Sequence, residues 1–224
     1  MTAGPGGELA SLSGPAAHTK AERRWSLLRP EGVKPEPLPQ EFYLQDAAQV
    51  AEQILGKTLV HETKSGRLSG TIVEAEAYLS RDDPGCHAAR GKTKRNAFMF
   101  AQGGVAYVYF IYGMYYCFNV VTGQEGRGEA VLIRAAAPLE GVSLMAQNRG
   151  RQDPLKLLSG PGKLCQAFQI DLTLNGQSLQ ERPLFMAEGE EPPRVTVTTR
   201  IGLNLGKEKL LRYYVTGSPF VSRP

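Results

Sequence analysis

The sequence IVEAEAYL, residues 72–79, places two carboxylates and a tyrosine at every second position. Side chains alternate between the faces of a β-strand, so Glu74, Glu76 and Tyr78 should share one face. A carboxylate beside an aromatic wall is an arrangement that tunes a carboxyl group for general acid or base catalysis. Glu76, central and next to Tyr78, is the candidate catalytic residue. The alternative is a solvated polar face of the strand.

A second group of candidates lies in DDPGCHAARGKTKRN, residues 82–96. Proline and glycine make this segment a loop, where His87 is more available to a ligand than a histidine packed on a strand. The same loop concentrates four positive charges, on Arg90, Lys92, Lys94 and Arg95. Such a patch suits phosphate groups, and a solvated basic surface is the alternative.

The stretch YVYFIYGMYYCFNV, residues 107–120, contains five tyrosines in fourteen positions. Tyr107 and Tyr109 share one face of a predicted strand, and flat rings beside a carboxylate suit stacking on a planar base. Packing of these rings in the core is the alternative. Tyr112 falls at the tip of a predicted hairpin, where it cannot reach the core of its own sheet. An exposed aromatic side chain on a hairpin is a device for entering a base stack.

A further segment, LSGPGKLCQAF at residues 158–168, contains glycines before a lysine. It lacks the spacing of a nucleotide-triphosphate loop and instead predicts the start of a helix. The free N–H groups of that start, together with Lys163, suit a backbone phosphate.

The elements that must hold these residues follow from hydrophobic periodicity and turn residues. LQDAAQVAEQILGK predicts a helix that Asp46 and Gln49 cap and Gly56 ends. Strands are predicted in KTLVHET, in SGTIVEAEAYL, up to Ile111, from Tyr115 to Val121, in EAVLIRAAA as far as Pro138, in RVTVTTRIG and in LRYYVTGSPFV. Two more helices are predicted at 140–149 and 162–168. The pattern predicts one α+β domain with a curved, largely antiparallel sheet, flanking helices and a protruding β-hairpin.

Length and composition set the domain organisation. The chain has 224 residues, of which 42% are apolar, enough for one substantial core. Residues 1–40 contain six prolines and five glycines, a composition that favours a disordered tail. We therefore predict a catalytic domain at 41–224 and a tail that catalysis does not require.

Charge and cysteine content limit the possible partners and location. Lysine and arginine number 26 against 22 acidic residues, a mild excess that suits a polyanionic partner. The three cysteines form no CxxC pair, and no histidine lies at metal-ligand spacing from His87, so neither disulfides nor a metal site is predicted. The sequence contains no apolar run of about 18 residues, so no membrane span is predicted. We expect an intracellular protein.

Six segments in their order and spacing resemble the alkyladenine (3-methyladenine) DNA glycosylase family: VEAEAYLSRDDPGCHAARGKTKRN, YVYFIYGMYYCFNV, VLIRAAAPLEG, SGPGKLCQA, RIG and YYVTGSPFVS. The resemblance implies a monofunctional enzyme that flips damaged purines out of duplex DNA. The purines would be of the 3-methyladenine, 7-methylguanine or hypoxanthine type. A glutamate-activated water would hydrolyse the N-glycosidic bond and so start base excision repair. The resemblance also implies a monomer without a cofactor, located with DNA in the nucleus or in the bacterial cytoplasm.

The resemblance assigns a role to each residue of the reaction. Glu76 is implied as the general base that deprotonates the attacking water. Arg134 is implied as a partner of that water, and the main chain near Ile201 as the group that completes its binding. Asn119 would disfavour the exocyclic amino group of guanine, and Tyr107 would support the pocket.

The resemblance also assigns the residues that contact the extruded nucleotide. Tyr78, His87 and Tyr109 would stack on the flipped base, and the main chain of His87 would read its edge. Tyr112 would fill the gap left in the duplex, and Met114 would make a second contact at the hairpin tip.

Two other functions remain open at this point. A non-catalytic nucleic-acid-binding module would use the same tyrosines for stacking, but it gives no reason for Glu76. A glycoside hydrolase would use Glu74 and Glu76 as its pair of carboxylates. Neighbours on one strand face lie only about 7 Å apart, so both would have to reach across one bond.

Overall fold

The structure is a computed structural model that describes residues 35–223; residues 1–34 and 224 lie outside the described part. The described part contains four α-helices: α1 Gln40–Tyr43, α2 Ala47–Gln53, α3 Val142–Arg149 and α4 Pro161–Phe168. It contains eight strands: β1 Thr58–Thr63, β2 Gly66–Tyr78, β3 Ala106–Ile111, β4 Tyr115–Thr122, β5 Glu129–Glu140, β6 Leu184–Ala187, β7 Val195–Thr198 and β8 Arg212–Val215. The longest of these helices has eight residues, far short of the roughly 20 that cross a bilayer.

The eight strands form one curled sheet in which every pairing is antiparallel. The order along its main path is β3-β4-β5-β2-β1-β6, while β8 pairs with both β2 and β7. With the helices packed on this sheet, the prediction of an α+β domain with a largely antiparallel sheet is confirmed.

Strand β2 runs through the middle of the sheet and pairs with three strands. One edge bonds to β5 from Ser69 to Tyr78, and the other edge bonds first to β1 and then, from Glu74 to Glu76, to β8. The register of β2 against β5 shifts on both sides of Glu74, and such bulges redirect side chains next to functional sites. Glu74 and Glu76 therefore lie where strands flank β2 on both sides.

The other face of β2 packs on the hydrophobic core. Ala75 and Ala77 are fully buried there, in the same cluster as Val50 and Ala51 of α2. Small side chains on the strand allow a helix to lie close to it. This division confirms the predicted alternation, with small apolar side chains on one face and carboxylates on the other.

Helix α2 confirms the predicted start and stop signals. The N–H of Asp46 donates to Gln49 Oε1 at 3.4 Å, one half of a capping box. Gly56 has a φ of +85°, and a Cβ at this position would lie 1.9 Å from Glu190 O. Only glycine fits this left-handed position after the helix.

Three predicted strands end in the wrong place, and one strand is missed. The strands predicted in RVTVTTRIG and LRYYVTGSPFV are shorter, because β7 ends at Thr198 and β8 ends at Val215, and the residues that follow each strand join no ladder. Pro138 does not end β5, which continues to Glu140; it lies opposite Gly70, next to a register shift, and an irregular ladder tolerates a residue without an N–H. Strand β6 is not predicted from the sequence at all. Its four residues are all buried, so they show no alternation that could reveal a strand.

The chain before Glu41 contributes to the packed domain. Leu38 is buried, its N–H donates to Met186 O at 2.8 Å, and Pro37 forms a bridge to Ala187. These contacts cover the outer edge of β6, which would otherwise expose unpaired backbone groups. Residues 35–40 of the predicted tail thus belong to the described structure, and residues 1–34 lie outside it.

Two truncations separate these parts of the chain. Deleting residues 1–34 should leave Tm unchanged, whereas deleting residues 1–40 should lower the free energy of unfolding by about 2–5 kcal/mol, the typical cost of losing a buried leucine. Thermal unfolding followed by circular dichroism measures both. Equal Tm values for the two truncations would show that Leu38 contributes nothing.

Candidate active site

Glu76 is completely buried, yet its carboxylate is not saturated with hydrogen bonds. Oε1 accepts from the N–H of Ile201 at 2.7 Å. Oε2 accepts from the Tyr78 hydroxyl at 2.9 Å and lies 3.2 Å from Arg134 Nη1. A carboxylate has about four acceptor positions. Two are occupied by hydrogen bonds, Arg134 adds an ion-pair contact at Oε2, and Oε1 has a single donor among the described residues.

Arg134 on β5 lies between two carboxylates. Its Nε donates to Glu74 Oε1 at 2.9 Å, and its Nη1 lies 3.2 Å from Glu76 Oε2. Burial opposes the charge of the guanidinium, but Glu76 and Glu74 outweigh it and raise the pKa of Arg134. The arginine is permanently charged and holds the two carboxylates of β2 together.

Glu74 is fully engaged by the protein. Its Oε1 accepts hydrogen bonds from Arg134 Nε, from Arg212 Nε at 2.8 Å and from the Ser222 hydroxyl at 2.8 Å. Its Oε2 accepts from the N–H of Ser222 at 2.6 Å. Glu74 is also completely buried. It therefore accepts four hydrogen bonds, twice as many as Glu76, and stabilises the arrangement of charges.

An aromatic cavity of about 560 Å³ adjoins Glu76, within the range typical of small-ligand pockets. The three partners of Glu76 line it: Tyr78, Arg134 and Ile201. Further rings in its lining belong to His87, Tyr107, Tyr109, Tyr112 and Tyr115. The lining thus contains Arg134 and all the predicted base-binding residues, whereas Glu76 itself is not a lining residue and meets the cavity only through its three partners.

The rings on the β3 side contact one another. His87 Nδ1 lies 3.1 Å from the Tyr107 hydroxyl, and the His87 and Tyr109 ring centroids are 4.7 Å apart. His87 is exposed at the rim of the cavity, and partial desolvation of its ring, assisted by the charge of Arg95, lowers its pKa and favours the neutral form. Burial raises the pKa of Tyr107 to about 12. These neutral rings form a surface suited to stacking.

Asn119 on β4 is fixed at the cavity wall. It is buried, and its Nδ2 donates to Tyr107 O at 3.0 Å. Its Oδ1 has no hydrogen-bond partner among residues 35–223. The side-chain amide is therefore held in place while its acceptor oxygen remains available.

The turn between β3 and β4 presents two apolar side chains to solvent. Tyr112 is 79% exposed and Met114 is 65% exposed. Tyr112 and Gly113 have φ values of +54° and +69°, and the N–H of Met114 donates to Ile111 O at 3.3 Å. Positive φ at both central positions is the geometry of a type I′ turn, and it is unfavourable for tyrosine. Strain of this kind occurs at functional sites.

The five basic residues assigned to the DNA backbone lie in two places. Lys163 on α4 lines the cavity, and its Nζ donates to Ser159 O at 3.1 Å. The Arg95 guanidinium lies 5.7 Å from the centroid of the Tyr109 ring. The other three, Arg90, Lys92 and Lys94, are exposed on the loop that follows His87.

A buried ion pair beside the site is not predicted from the sequence. Arg200 binds Asp83 through both terminal nitrogens, and both side chains are completely buried. A signal was present, because Arg200 interrupts a run of valines and threonines just before Ile201. Its partner is 117 residues away, so no local pattern identifies the pair. Arg149 at the end of α3 lines the cavity and is not predicted as a site residue from the sequence.

Comparison with known proteins gives consistent similarities. Residues 41–219 match the methylpurine-DNA glycosylase family. A protein of Carboxydothermus hydrogenoformans is 50% identical over 189 residues, which cover 83% of this chain and 98% of that protein. A protein of Methanoculleus marisnigri is 50% identical over 191 residues, with the same coverage of both chains. A protein of Prosthecochloris aestuarii is 44% identical over 186 residues, covering 82% and 89% respectively. All three carry the provisional name 3-methyladenine DNA glycosylase.

The four hydrogen bonds that Glu74 accepts predict a loss of stability in Glu74→Gln. The substitution removes the charge that compensates Arg134 and Arg212, and breaking a buried ion pair typically costs about 3–5 kcal/mol. Urea denaturation of the variant and the wild type measures the difference. A variant as stable as the wild type would show that Glu74 does not hold the buried charges together.

Proposed function

The chain belongs to the methylpurine-DNA glycosylase family and is a DNA glycosylase, and we propose that it flips damaged purines out of duplex DNA and hydrolyses their N-glycosidic bonds with a water activated by Glu76. The observation that carries the proposal is a buried carboxylate whose three partners line an aromatic cavity. The proposed substrates are 3-methyladenine, the base in the names of the relatives, and 7-methylguanine and hypoxanthine. The enzyme acts as a monomer and requires no cofactor.

Glu76 supplies both charge and a base. Breaking the bond between sugar and base leaves the electron pair on the base and positive charge on the sugar, which a nearby carboxylate stabilises. Water adds to the sugar carbon while Glu76 accepts its proton. Oε1, which has only the N–H of Ile201 as a donor among the described residues, suits this water. Arg134 is the second group that we assign to it.

The rings of the cavity select planar, electron-poor bases. An alkylated purine carries positive charge and leaves readily, and aromatic faces attract cations. Because the pKa of His87 is lowered, its neutral ring does not repel such a base. Tyr78 and Tyr109 stack on the base with His87, and Tyr107 supports them. Damage adds selectivity, since extruding a damaged or mispaired base costs less.

Asn119 acts in the same pocket on the edge of the base. Its side chain is tethered to Tyr107 O and cannot withdraw easily from a guanine amino group. Hypoxanthine lacks that group. We therefore assign to Asn119 the discrimination against unmodified guanine.

The exposed residues bind the DNA around the extruded base. Tyr112 enters the gap in the stack and Met114 makes a second contact, since both side chains are presented to solvent. The basic residues of the His87 loop and Lys163 neutralise phosphates. The Lys163 ammonium is held by Ser159, so we assign it to phosphate binding and not to attack on the sugar. The product is then an abasic site in an intact strand.

Substitution of Glu76 by glutamine tests the mechanism. Glu76→Gln preserves the volume of the side chain but removes the charge and the basic oxygen. Loss of a positioned base typically lowers the rate by about 10² to 10⁴-fold. Affinity for a lesion duplex should change little, because the stacking rings and the basic loop remain. Single-turnover release of hypoxanthine and 3-methyladenine, measured with duplex affinity, separates the two effects.

Other functions give different results in the same assay. A binding module would release no base in either form. A paired-carboxylate hydrolase would lose as much activity in folded Glu74→Gln as in Glu76→Gln. Wild-type single-turnover rates in Glu76→Gln would contradict the mechanism proposed for Glu76.

Replacement of Tyr112 tests the role of the hairpin tip. Tyr112→Ala should weaken capture of the extruded state, because stacking of one ring contributes about 1–3 kcal/mol. The matched control is Phe110→Ala, which removes another exposed ring of the same hairpin, one paired with Tyr116. Fluorescence of 2-aminopurine beside the lesion reports extrusion. Equal effects of the two substitutions would rule out a specific role for Tyr112.

A further inference from the structure

We infer that the Asp83–Arg200 ion pair positions the Ile201 N–H on Glu76 and thereby sets the geometry of water activation. This inference rests on the proposed function of Glu76. Arg200 immediately precedes Ile201, so a displacement of its side chain is transmitted to the next amide. That amide is the only group among the described residues that donates to Glu76 Oε1. Asp83 and Arg200 are thus positioning residues for the catalytic carboxylate.

The Arg200 guanidinium joins three separate segments. It donates to Ala77 O at the end of β2 at 2.9 Å, to both oxygens of Asp83, and to Gly206 O at 3.3 Å. Asp83 in turn accepts from the N–H of Leu79 at 3.0 Å. The pair therefore fastens the segment that carries Ile201 to the strand that carries Glu76.

No strand holds Ile201 in place. Strand β7 ends at Thr198, and β8 begins only at Arg212. Arg200 and Ile201 lie between them, outside the ladders that fix the rest of the sheet. The position of the Ile201 amide therefore depends on side-chain contacts, and those of the neighbouring Arg200 with Asp83 are completely buried.

The same guanidinium also contacts Tyr78, whose hydroxyl binds the other oxygen of Glu76. Its central carbon lies 4.6 Å from the centroid of the Tyr78 ring, within the range of a cation–π contact. The Tyr78 hydroxyl donates to Glu76 Oε2. Arg200 thus supports a hydrogen-bond donor on each side of the carboxylate.

Two glycines allow the ion pair to be enclosed this closely. A Cβ on Gly85 would lie 2.9 Å from Leu205 O and 3.1 Å from Arg200 Nη2. A Cβ on Gly206 would lie 3.2 Å from Asp83 Oδ1, and its φ of +63° also disfavours a side chain. Side chains at these positions would displace the guanidinium, so close packing fixes its position.

Arg200→Lys is the variant that separates positioning from charge. Lysine keeps a positive charge next to Asp83 but lacks the planar fork that reaches several acceptors at once. Misplacement by about 1 Å can lower a rate by about 10²-fold, and we expect a loss of this size in single-turnover release of hypoxanthine. The Kd for the lesion duplex should change by less than about threefold, and extrusion reported by 2-aminopurine should persist.

Controls separate this result from simple destabilisation and from failure of the proposed function. Leu38→Ala lowers stability far from the site and should keep the wild-type rate below its Tm. If Arg200→Lys is unfolded, Gly206→Ala, which presses a methyl group on the same pair, should give a smaller loss in the same direction.

Three outcomes have distinct meanings. A rate loss with retained affinity supports the inference. A folded Arg200→Lys with the wild-type rate, or one that loses rate and affinity together, overturns it. Wild-type activity in Glu76→Gln would instead overturn the proposed function.

Discussion

The structure depends on keeping one carboxylate charged inside a sheet. Burial of an isolated charge is strongly unfavourable, so Glu76 requires compensation that does not neutralise it completely. Glu76 belongs to a set of buried ionisable side chains with three carboxylates and three guanidinium groups: Glu74, Glu76, Asp83, Arg134, Arg200 and Arg212. Arg134 is the link, because it contacts both Glu74 and Glu76. Glu74 and Asp83 each accept four hydrogen bonds, whereas Glu76 accepts two. Of the three carboxylates in the network, Glu76 thus accepts the fewest hydrogen bonds, and it is the one to which we assign the role of general base.

The topology of the sheet follows from this requirement. The charged residues come from β2, β5, β8 and the loops beside them, and the C-terminal segment contributes Ser222. Strand β8 must pair with β2 opposite Glu74 and Glu76 for Arg212 to reach Glu74. The register shifts around Glu74 lie in the same stretch, where an irregular strand can aim two carboxylates at one arginine. An uninterrupted ladder would be more regular but would not bring these groups together as closely.

Local patterns in the sequence predict the parts of the site that are local. Alternation places Glu74 and Glu76 on one face of β2, and the tyrosine stretch indicates two strands joined at Tyr112. The resemblance names Arg134 and Ile201, but no local signal shows that both contact the Glu76 carboxylate. The Asp83–Arg200 pair escapes detection because its partners are far apart in sequence and each sits in a loop. Strand β6 and the continuation of β5 past Pro138 depend on tertiary pairing, which a local pattern does not contain.

The site therefore has a buried part, Glu76 with its partners beneath the cavity, and an exposed part, Tyr112 with the basic loop. Different physical effects dominate in the two parts. In the buried part, low exposure strengthens each electrostatic contact, so under the proposed mechanism we expect small displacements of Ile201 or Arg134 to lower the rate strongly. In the exposed part, Tyr112 and the basic loop remain in water, where each electrostatic contact with DNA is weak until binding excludes solvent. The strained turn holds Tyr112 exposed in the free protein, and if Tyr112 enters the base stack as proposed, less ordering is required on binding. Substitutions at the rim should consequently change affinity, and substitutions beneath the cavity should change the chemical step.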